Sequence, residues 1–337
     1  MVNVGVIGCG HWGNNYLRLT SSMPGVRLVA CADVSEDRLK AVRQAYPNVA
    51  ASSDCMSVVR QKDVQAVLIA TPTATHHALA KEALECGKDV LCEKPLTTSV
   101  EQAEELVALA KKTGQVLMVG HIFVYNPGIQ KLYEYTKSGM YGRIYYMDSV
   151  RTNLGPFRRD VNVVWDLAPH DVSIFSYLLG AHPLRVWAKG VSFLQPGIED
   201  VAFISLMYPG QVLGHIHVSW LDPRKVRQIT IVGDKKMVSW DDLDNVGPIK
   251  VYDKSVVRER YYDNFGEFFL LAREGDITIP KVTLAEPLKA ELSHFIECVM
   301  KRKTPITDGM NGLQVVKVLA AVQKSIEQDG VPQEVKV

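Results

Sequence analysis

The chain has 337 residues, 47% of them hydrophobic and 22% charged, which is ordinary globular composition and enough length for two domains. Its formal net charge of +1 gives no global attraction to nucleic acid or anionic lipid, and no uninterrupted apolar run approaches the ~20 residues that span a bilayer. The six cysteines include no Cys-x-x-Cys pair, so neither a disulfide frame nor a metal site is expected.

A first strand over 2–8 feeds directly into Gly8-Cys9-Gly10-His11-Trp12-Gly13, with a helix from about 11. Gly8 permits the tight turn, Gly10 lets backbone approach a pyrophosphate, and Gly13 lets the helix pack closely. The unpaired N–H groups of that helix suit phosphate, and His11 and Trp12 sit where they touch the same ligand. The second strand, 26–32, closes on Asp33, the carboxylate a dinucleotide site needs roughly 20 residues or slightly more past the glycines. Asp33 accepts hydrogen bonds from two ribose hydroxyls and repels a 2′-phosphate, which predicts NAD over NADP; Arg38 and Lys40, nearby, oppose that preference.

Helix 36–45, strand 65–70, helix 75–86, strand 89–92, helix 99–112 and strand 115–119 continue the alternation. The reading is α/β, a Rossmann domain with a doubly wound parallel sheet over 1–121. The loops Thr71-Pro72-Thr73 and Glu93-Lys94-Pro95 then fall at the carboxyl edge of the sheet, where such folds bind ligands. A strand opening at residue 2 is unlike a signal peptide, which predicts the cytosol.

From about 122 the texture changes, and 122–337 reads as an α+β domain on an antiparallel sheet. Helices are expected at about 127–138 and 170–179, β-rich runs at 144–150, 201–208, 211–220 and 226–232, and closing helices at about 284–302 and 311–328. Val212, Gly214, Ile216 and Val218 alternate with Leu213, His215, His217 and Ser219, so the strand has two unlike faces, one suited to a partner subunit.

A nicotinamide cofactor exchanges hydride, and if the donor is a carbinol a side chain must take its proton as the carbonyl forms; histidine suits that near neutral pH. Asp166 and His170 stand four residues apart, close enough to meet on one helical turn. Pro169 is tolerated if it falls in the first turn, so His170 is expected to open its helix; the plainer alternative is a helix-start acid beside a satisfied histidine. Lys94 emerges at the ligand edge, where a cation can donate to a substrate hydroxyl and the nicotinamide ribose. His76 shapes the cofactor pocket or caps its helix, and His121 and Tyr125 either line the pocket or simply pack. In Arg151-Thr152-Asn153-Leu154-Gly155-Pro156-Phe157-Arg158-Arg159-Asp160, arginine forks match diphosphate oxygens, and Asn153 can read a sugar hydroxyl or acetamido group. The alternative is a solvated loop whose arginines pair with Asp148 or Asp160.

Gly8-x-Gly10-x-x-Gly13, Thr71-Pro72-x-x-x-His76, Glu93-Lys94-Pro95, Asp166-x-x-x-His170 and Thr307-Asp308-Gly309 through Ser325 together resemble the glucose-fructose oxidoreductase / inositol dehydrogenase (Gfo/Idh/MocA) family over nearly the whole chain. The resemblance implies a Rossmann domain followed by an α+β domain with a large, mainly antiparallel open sheet. It further implies NAD(P)-dependent chemistry at a sugar or polyol carbon, and a homodimer or homotetramer. Lys94, Asp166 and His170 become the catalytic set; Glu93-Lys94-Pro95 packs near the nicotinamide, often with a cis bond before the proline. The cofactor set reads Gly8, Gly10, His11, Trp12, Gly13, Asp33, Thr71, Pro72, His76, Glu93 and Lys94; the substrate set reads Tyr125, Arg151, Asn153, Arg158, Arg159 and His170. The arginine stretch resembles that of members acting in surface-polysaccharide and nucleotide-sugar metabolism, which favours a nucleotide-activated hexose oxidised at C3. The rival readings are a free-sugar or inositol dehydrogenase, an NAD-dependent glycosidase, and a non-catalytic NAD-binding regulator.

Overall fold

The computed structural model describes residues 1–260 and 268–336, with side chains except over 257–260 and 268–272. The stretch 261–267 and Val337, both within the expected second domain, lie outside the described residues. The chain forms two compact units, Met1–Ile122 with Glu286–Ala320, and Phe123–Ala285 with Ala321–Val337.

In the first unit, β1 (Val2–Ile7), β2 (Val26–Ala32), β3 (Ala50–Ser52), β4 (Ala66–Ile69), β5 (Asp89–Glu93) and β6 (Leu117–Gly120) form a parallel sheet in the order β3-β2-β1-β4-β5-β6. The strands carry continuous apolar runs because both faces are covered; every residue of β4 is buried. The intervening helices are α1 (His11–Ser22), α2 (Glu36–Ala45), α3 (Cys55–Arg60), α4 (His76–Glu85) and α5 (Val100–Thr113). The strand order reverses between β1 and β4, which puts the glycine loop at the topological switch point. β3 and α3 were not expected: three residues carry no readable period, and α3 is set by Asp54, whose carboxylate accepts from the Met56 N–H at 2.9 Å.

The second unit carries α6 (Pro127–Lys137) and α7 (Val163–Leu179) on a nine-stranded sheet. Its strands are β7 (Ile144–Leu154), β8 (Arg185–Val191), β9 (Val201–Tyr208), β10 (Val212–Ser219), β11 (Leu221–Gly233), β12 (Met237–Asp241) and β13 (Ile249–Tyr252). β14 (Ser255–Arg260) and β15 (Phe268–Arg273) form a separate antiparallel pair, and β16 (Ile277–Thr278) and β17 (Gln333–Glu334) are the edges of the large sheet. In the order β16-β13-β12-β11-β7-β10-β9-β8-β17, only the β7–β10 pairing is parallel. Gly214, Ile216 and Val218 face inward; a Cβ at Gly214 would stand 3.2 Å from the Phe175 ring of α7.

The last helices are α8 (Pro287–Lys301) and α9 (Gly309–Glu327). α8 and the start of α9 return to the first unit, so the stretch expected as one second domain is divided. The tie is local: Thr307 Oγ1 donates to the Val119 carbonyl at 2.8 Å, and Thr307 accepts from the Val119 N–H at 2.8 Å. Gly309 fits there because a Cβ would lie 2.7 Å from Leu117 Cδ2. Ser325, in the second unit, accepts from the Ala188 N–H at 3.0 Å. Among the described residues, no helix is long and apolar enough to cross a membrane.

Candidate active site

The glycine loop is built for close backbone approach. Gly8 sits at φ +91°, and a Cβ there would lie 2.4 Å from the Ala70 carbonyl oxygen; a Cβ at Gly13 would lie 1.7 Å from the Gly8 carbonyl oxygen. Gly10 differs, since a Cβ there meets nothing nearer than the Arg38 guanidinium at 3.6 Å. That open flank is where a pyrophosphate fits. Gly10 also caps α1 without any side-chain bond, and the first turn carries no acid, so its N–H groups remain suited to an anion. His11 and Trp12 are exposed at this helix start, their rings edge to face at 5.9 Å.

Asp33 directly follows β2 and is buried, and its bonds explain the loop's shape. Oδ2 accepts from the Cys9 N–H at 2.6 Å and from Arg38 Nη1 at 3.3 Å, and Oδ1 accepts from the Ser35 N–H at 2.8 Å. The carboxylate therefore pins the glycine loop as well as meeting the requirement of an NAD site for an acid at this place. Glycines and acid together fit a dinucleotide.

His76 opens α4 with its ring held between two loops, Nδ1 2.9 Å from the Pro95 carbonyl and Nε2 2.9 Å from the Thr71 carbonyl. It is a strut joining Thr71-Pro72 to Lys94-Pro95, the two loops expected at the ligand edge. The Pro72 carbonyl in turn accepts from Thr75 Oγ1 at 2.8 Å. The Lys94–Pro95 peptide is cis, as the resemblance implies. Glu93 departs from expectation as a cofactor contact: its side chain turns inward, with Oε1 accepting from Tyr16 Oη at 2.9 Å and Oε2 from the Lys94 N–H at 3.2 Å. His121 directly follows β6 and is fully buried, and burial together with the Lys94 charge pushes its imidazole down to about 3, so it is neutral.

In the second unit Asp166 and His170, the pair expected to be catalytic, ride on α7. The helix starts at Val163, not at His170, because the Asn162 side chain caps it by accepting from the Trp165 N–H at 3.1 Å. Pro169 consequently lies inside the helix, where the Trp165 carbonyl loses its usual donor. Tertiary burial sustains it: Ala168, Pro169, Asp171 and Val172 are all buried. Asp166 falls in the first turn, one turn before His170. Its Oδ1 accepts from Arg158 Nη1 at 3.1 Å and its Oδ2 from Trp220 Nε1 at 3.1 Å. His170 is largely buried, edge-on to the Phe123 ring at 4.9 Å, and the Arg151 and Arg227 guanidiniums lie over that same ring at 4.3 and 5.5 Å.

The arginine stretch needs the largest correction. β7 extends to Leu154, so Arg151 and Asn153 are strand residues and not part of a loop. Arg151 is 3% exposed and donates through Nε and Nη2 to the fully buried Asp171 at 2.7 and 2.9 Å, with Ser149 Oγ completing the carboxylate at 2.7 Å. A guanidinium so enclosed, with two of its five N–H donors on Asp171, is turned inward from solvent and clamps α7 onto β7. Arg158 is likewise committed, to both oxygens of Asp160 at 2.9 and 2.6 Å as well as to Asp166, and it holds the Asp160 carboxyl below its ordinary range. Asn153 Nδ2 donates to the Gly155 carbonyl, Tyr125 is buried, and Arg159 is exposed. Sequence reasoning missed Phe123, Asp171, Trp220 and Arg227; only the Asp171 position beside His170 carried any signal, as a second acid in the motif. Among the described residues, no group of three or more His, Cys, Asp or Glu side chains is arranged to hold a metal.

Comparison with known proteins agrees with this architecture. The description "Oxidoreductase family, NAD-binding Rossmann fold" matches residues 2–121, and "GFO/IDH/MocA C-terminal domain" matches residues 129–239. The chain is 27% identical to UDP-N-acetylglucosamine 3-dehydrogenase of Acidithiobacillus ferrooxidans, over 97% of each chain. It is 26% identical to scyllo-inositol 2-dehydrogenase (NAD(+)) of Bacillus subtilis, covering 100% of this chain and 97% of that one. A solved structure of the Acidithiobacillus ferrooxidans enzyme superposes with a TM-score of 0.81 at 25% identity over 97% of both chains. With its NAD-binding Rossmann unit and its mainly antiparallel second sheet, the chain belongs to the Gfo/Idh/MocA family of oxidoreductases.

Proposed function

We propose that this enzyme is a sugar dehydrogenase that oxidises a ring secondary hydroxyl, at C3, of a nucleotide-activated hexose. The observation that carries the reading is the Asp166–His170 pair one turn apart on α7, with Asp166 anchored by Arg158 and Trp220 and His170 shielded against Phe123. A largely buried imidazole is suited to take the proton of a carbinol near neutral pH, and a carboxylate in the preceding turn stabilises the imidazolium that results. Lys94, leaving β5, is assigned to donate to the hydroxyl oxygen and the nicotinamide ribose. Bound NAD supplies the hydride acceptor. The similarity to a UDP-N-acetylglucosamine 3-dehydrogenase along nearly the full length supports the nucleotide-sugar assignment, and Arg159 is the remaining exposed arginine of the stretch for a diphosphate.

A second reading has an observation in its favour. Arg151 and Arg158 are consumed by Asp171, Asp160 and Asp166, which suits an uncharged polyol, the class that the inositol relative acts on. The deciding experiment is NAD reduction by the purified protein with a panel of nucleotide sugars and the matching free sugars and inositols. Faster turnover on nucleotide sugars, with the ring ketone located at C3 by NMR, supports the first reading; equal or better efficiency on free polyols replaces it with the second.

We also propose that a second copy covers the open face of the large sheet, giving a homodimer or homotetramer. Tyr146, Phe203 and Leu213 stand exposed there on paired strands, and Phe203 stacks on His217 at 4.4 Å. Light scattering that finds wild type and Phe203→Asp both monomeric would refute this.

A further inference from the structure

A buried acid cluster lies behind Lys94, within the first unit. Tyr16 on α1 and Glu291 on α8 are both fully buried, and Glu93 at the end of β5 nearly so. Tyr16 Oη stands 2.9 Å from Glu93 Oε1 and 3.5 Å from Glu291 Oε2, while Glu291 Oε1 has no hydrogen-bond partner. Glu93 Oε2 accepts from the Lys94 N–H at 3.2 Å, and its carboxyl abuts Gly120, where a Cβ would lie 3.3 Å from it.

Counting hydrogens decides how this cluster is protonated. A phenol has one hydrogen and can satisfy one carboxylate, and the shorter contact assigns it to Glu93. Glu291 then meets the Tyr16 oxygen only as a donor. If the longer contact is discounted, Glu291 has no partner among the described residues, and an ionised carboxylate there, stripped of water and unpaired, is strongly disfavoured. Both routes lead to the same species. We propose that Glu291 is a protonated carboxylic acid and that Glu291 and Tyr16 are positioning residues, which commit the Tyr16 hydrogen to Glu93 and so keep Glu93 ionised against Lys94.

The surrounding charges agree on where the shared proton rests. The groups facing the cluster are Tyr16 from α1, Cys92 and Lys94 on either side of Glu93, and Glu291 from α8. Burial raises both carboxyls above their ordinary range, but Tyr16, the Lys94 charge and the Lys94 N–H all oppose the rise at Glu93, whereas Glu291 is raised further by Glu93, opposed by Tyr16 alone, and stands well above that range. The phenol itself is pushed far above its ordinary range and does not ionise. Glu93 therefore carries the one negative charge, which favours a charged Lys94. His121, held neutral beside Lys94, adds no competing cation.

The functional half of this inference rests on the assignment of Lys94 to the substrate hydroxyl; the protonation of Glu291 does not. Infrared difference spectra of the folded protein at neutral pH are expected to show a protonated carboxyl stretch that shifts in D2O, vanishes in Glu291→Gln and persists in Glu93→Gln. Absence of that band in the wild type overturns the proposal, whatever Lys94 does. Tyr16→Phe, a near-isosteric change, leaves Glu93 without its donor. It should move the acid limb of the kcat/KM profile upward by about one pH unit, with the KM for NAD little changed. Glu291→Leu leaves the Tyr16 hydrogen on Glu93 but removes the donor that strengthens that bond, so it should move the limb the same way by a smaller amount, and Glu291→Gln, whose amide still donates to Tyr16, should restore it. An unmoved limb in folded Tyr16→Phe and Glu291→Leu overturns the positioning role. Undiminished turnover in Lys94→Ala is a separate result, which defeats the Lys94 assignment and leaves the infrared result standing.

Discussion

Arg158 closes on Asp166, its Nη1 3.1 Å from Oδ1, while the rest of its guanidinium grips Asp160. An arginine expected to hold substrate phosphate is instead paired with Asp166, the acid proposed to support His170. The contact is partly exposed, with side chains 28% and 14% accessible, so its worth lies in geometry more than in stability. Arg158→Ala should lower kcat about tenfold, leave NAD affinity unchanged and shift the substrate KM little. Steady-state kinetics with the true substrate checks this; a tenfold rise in KM at constant kcat would restore the phosphate-binding role.

Arg151→Ala strands the Asp171 carboxylate in a site with no exposure, leaving only Ser149 to satisfy it. Breaking a buried pair by removing one partner costs about 3–5 kcal/mol, which should appear as a large fall in Tm. The double variant Arg151→Met/Asp171→Leu, lacking both charges, should recover much of that loss. Calorimetry of the three proteins is sufficient; a normal Tm in Arg151→Ala would mean the pair is dispensable.

Asp33→Ser removes the acceptor of the Cys9 N–H along with the carboxylate expected to meet the ribose. A hydrogen bond to a charged group is worth about 1.5–3 kcal/mol, so NAD should bind at least tenfold more weakly. Arg38, released from Asp33, becomes available to a 2′-phosphate, and the preference for NAD over NADP should narrow. Titration calorimetry with both cofactors measures the ratio, and an unchanged ratio counts against the discriminating role of Asp33.

Lys94→Ala and His170→Ala should each reduce turnover by about 10² or more with NAD affinity nearly intact. A matching loss of NAD binding in either would mean the substitution has damaged the fold and not the chemistry.

His121 makes stability depend on pH with a definite sign. Its folded value of about 3 lies below the ordinary 6.5, so the folded state binds fewer protons between those values. The stability it confers is present above pH 6.5 and is lost as the pH falls toward 3, at about 1.4 kcal/mol per pH unit. Urea unfolding of wild type and His121→Gln should therefore converge by about 2 kcal/mol between pH 6.5 and 5. Parallel curves would show that His121 titrates normally.

What the sequence alone determined is what depends on local pattern. The strand–Gly8-x-Gly10-x-x-Gly13–helix run, Asp33 after β2 and the alternation of elements through residue 120 specify a Rossmann sheet, because its strands are continuous apolar runs and its turn needs glycines wherever a Cβ meets a carbonyl. Asp166 and His170 were legible for the same reason, as neighbours one helical turn apart. Tertiary structure decided the partners. Whether Arg151 faces a ligand or Asp171, whether Arg158 reaches a phosphate or Asp166, and whether Glu93 points out or toward Tyr16 and Glu291 depend on residues 8 to 198 positions apart in the chain. The course of α7 belongs here too, since Pro169 argues for a late helix start, while the Asn162 cap and burial against the sheet carry the helix through it. A charged side chain takes the partner that best offsets its desolvation, and only the folded chain shows which partner stands within reach.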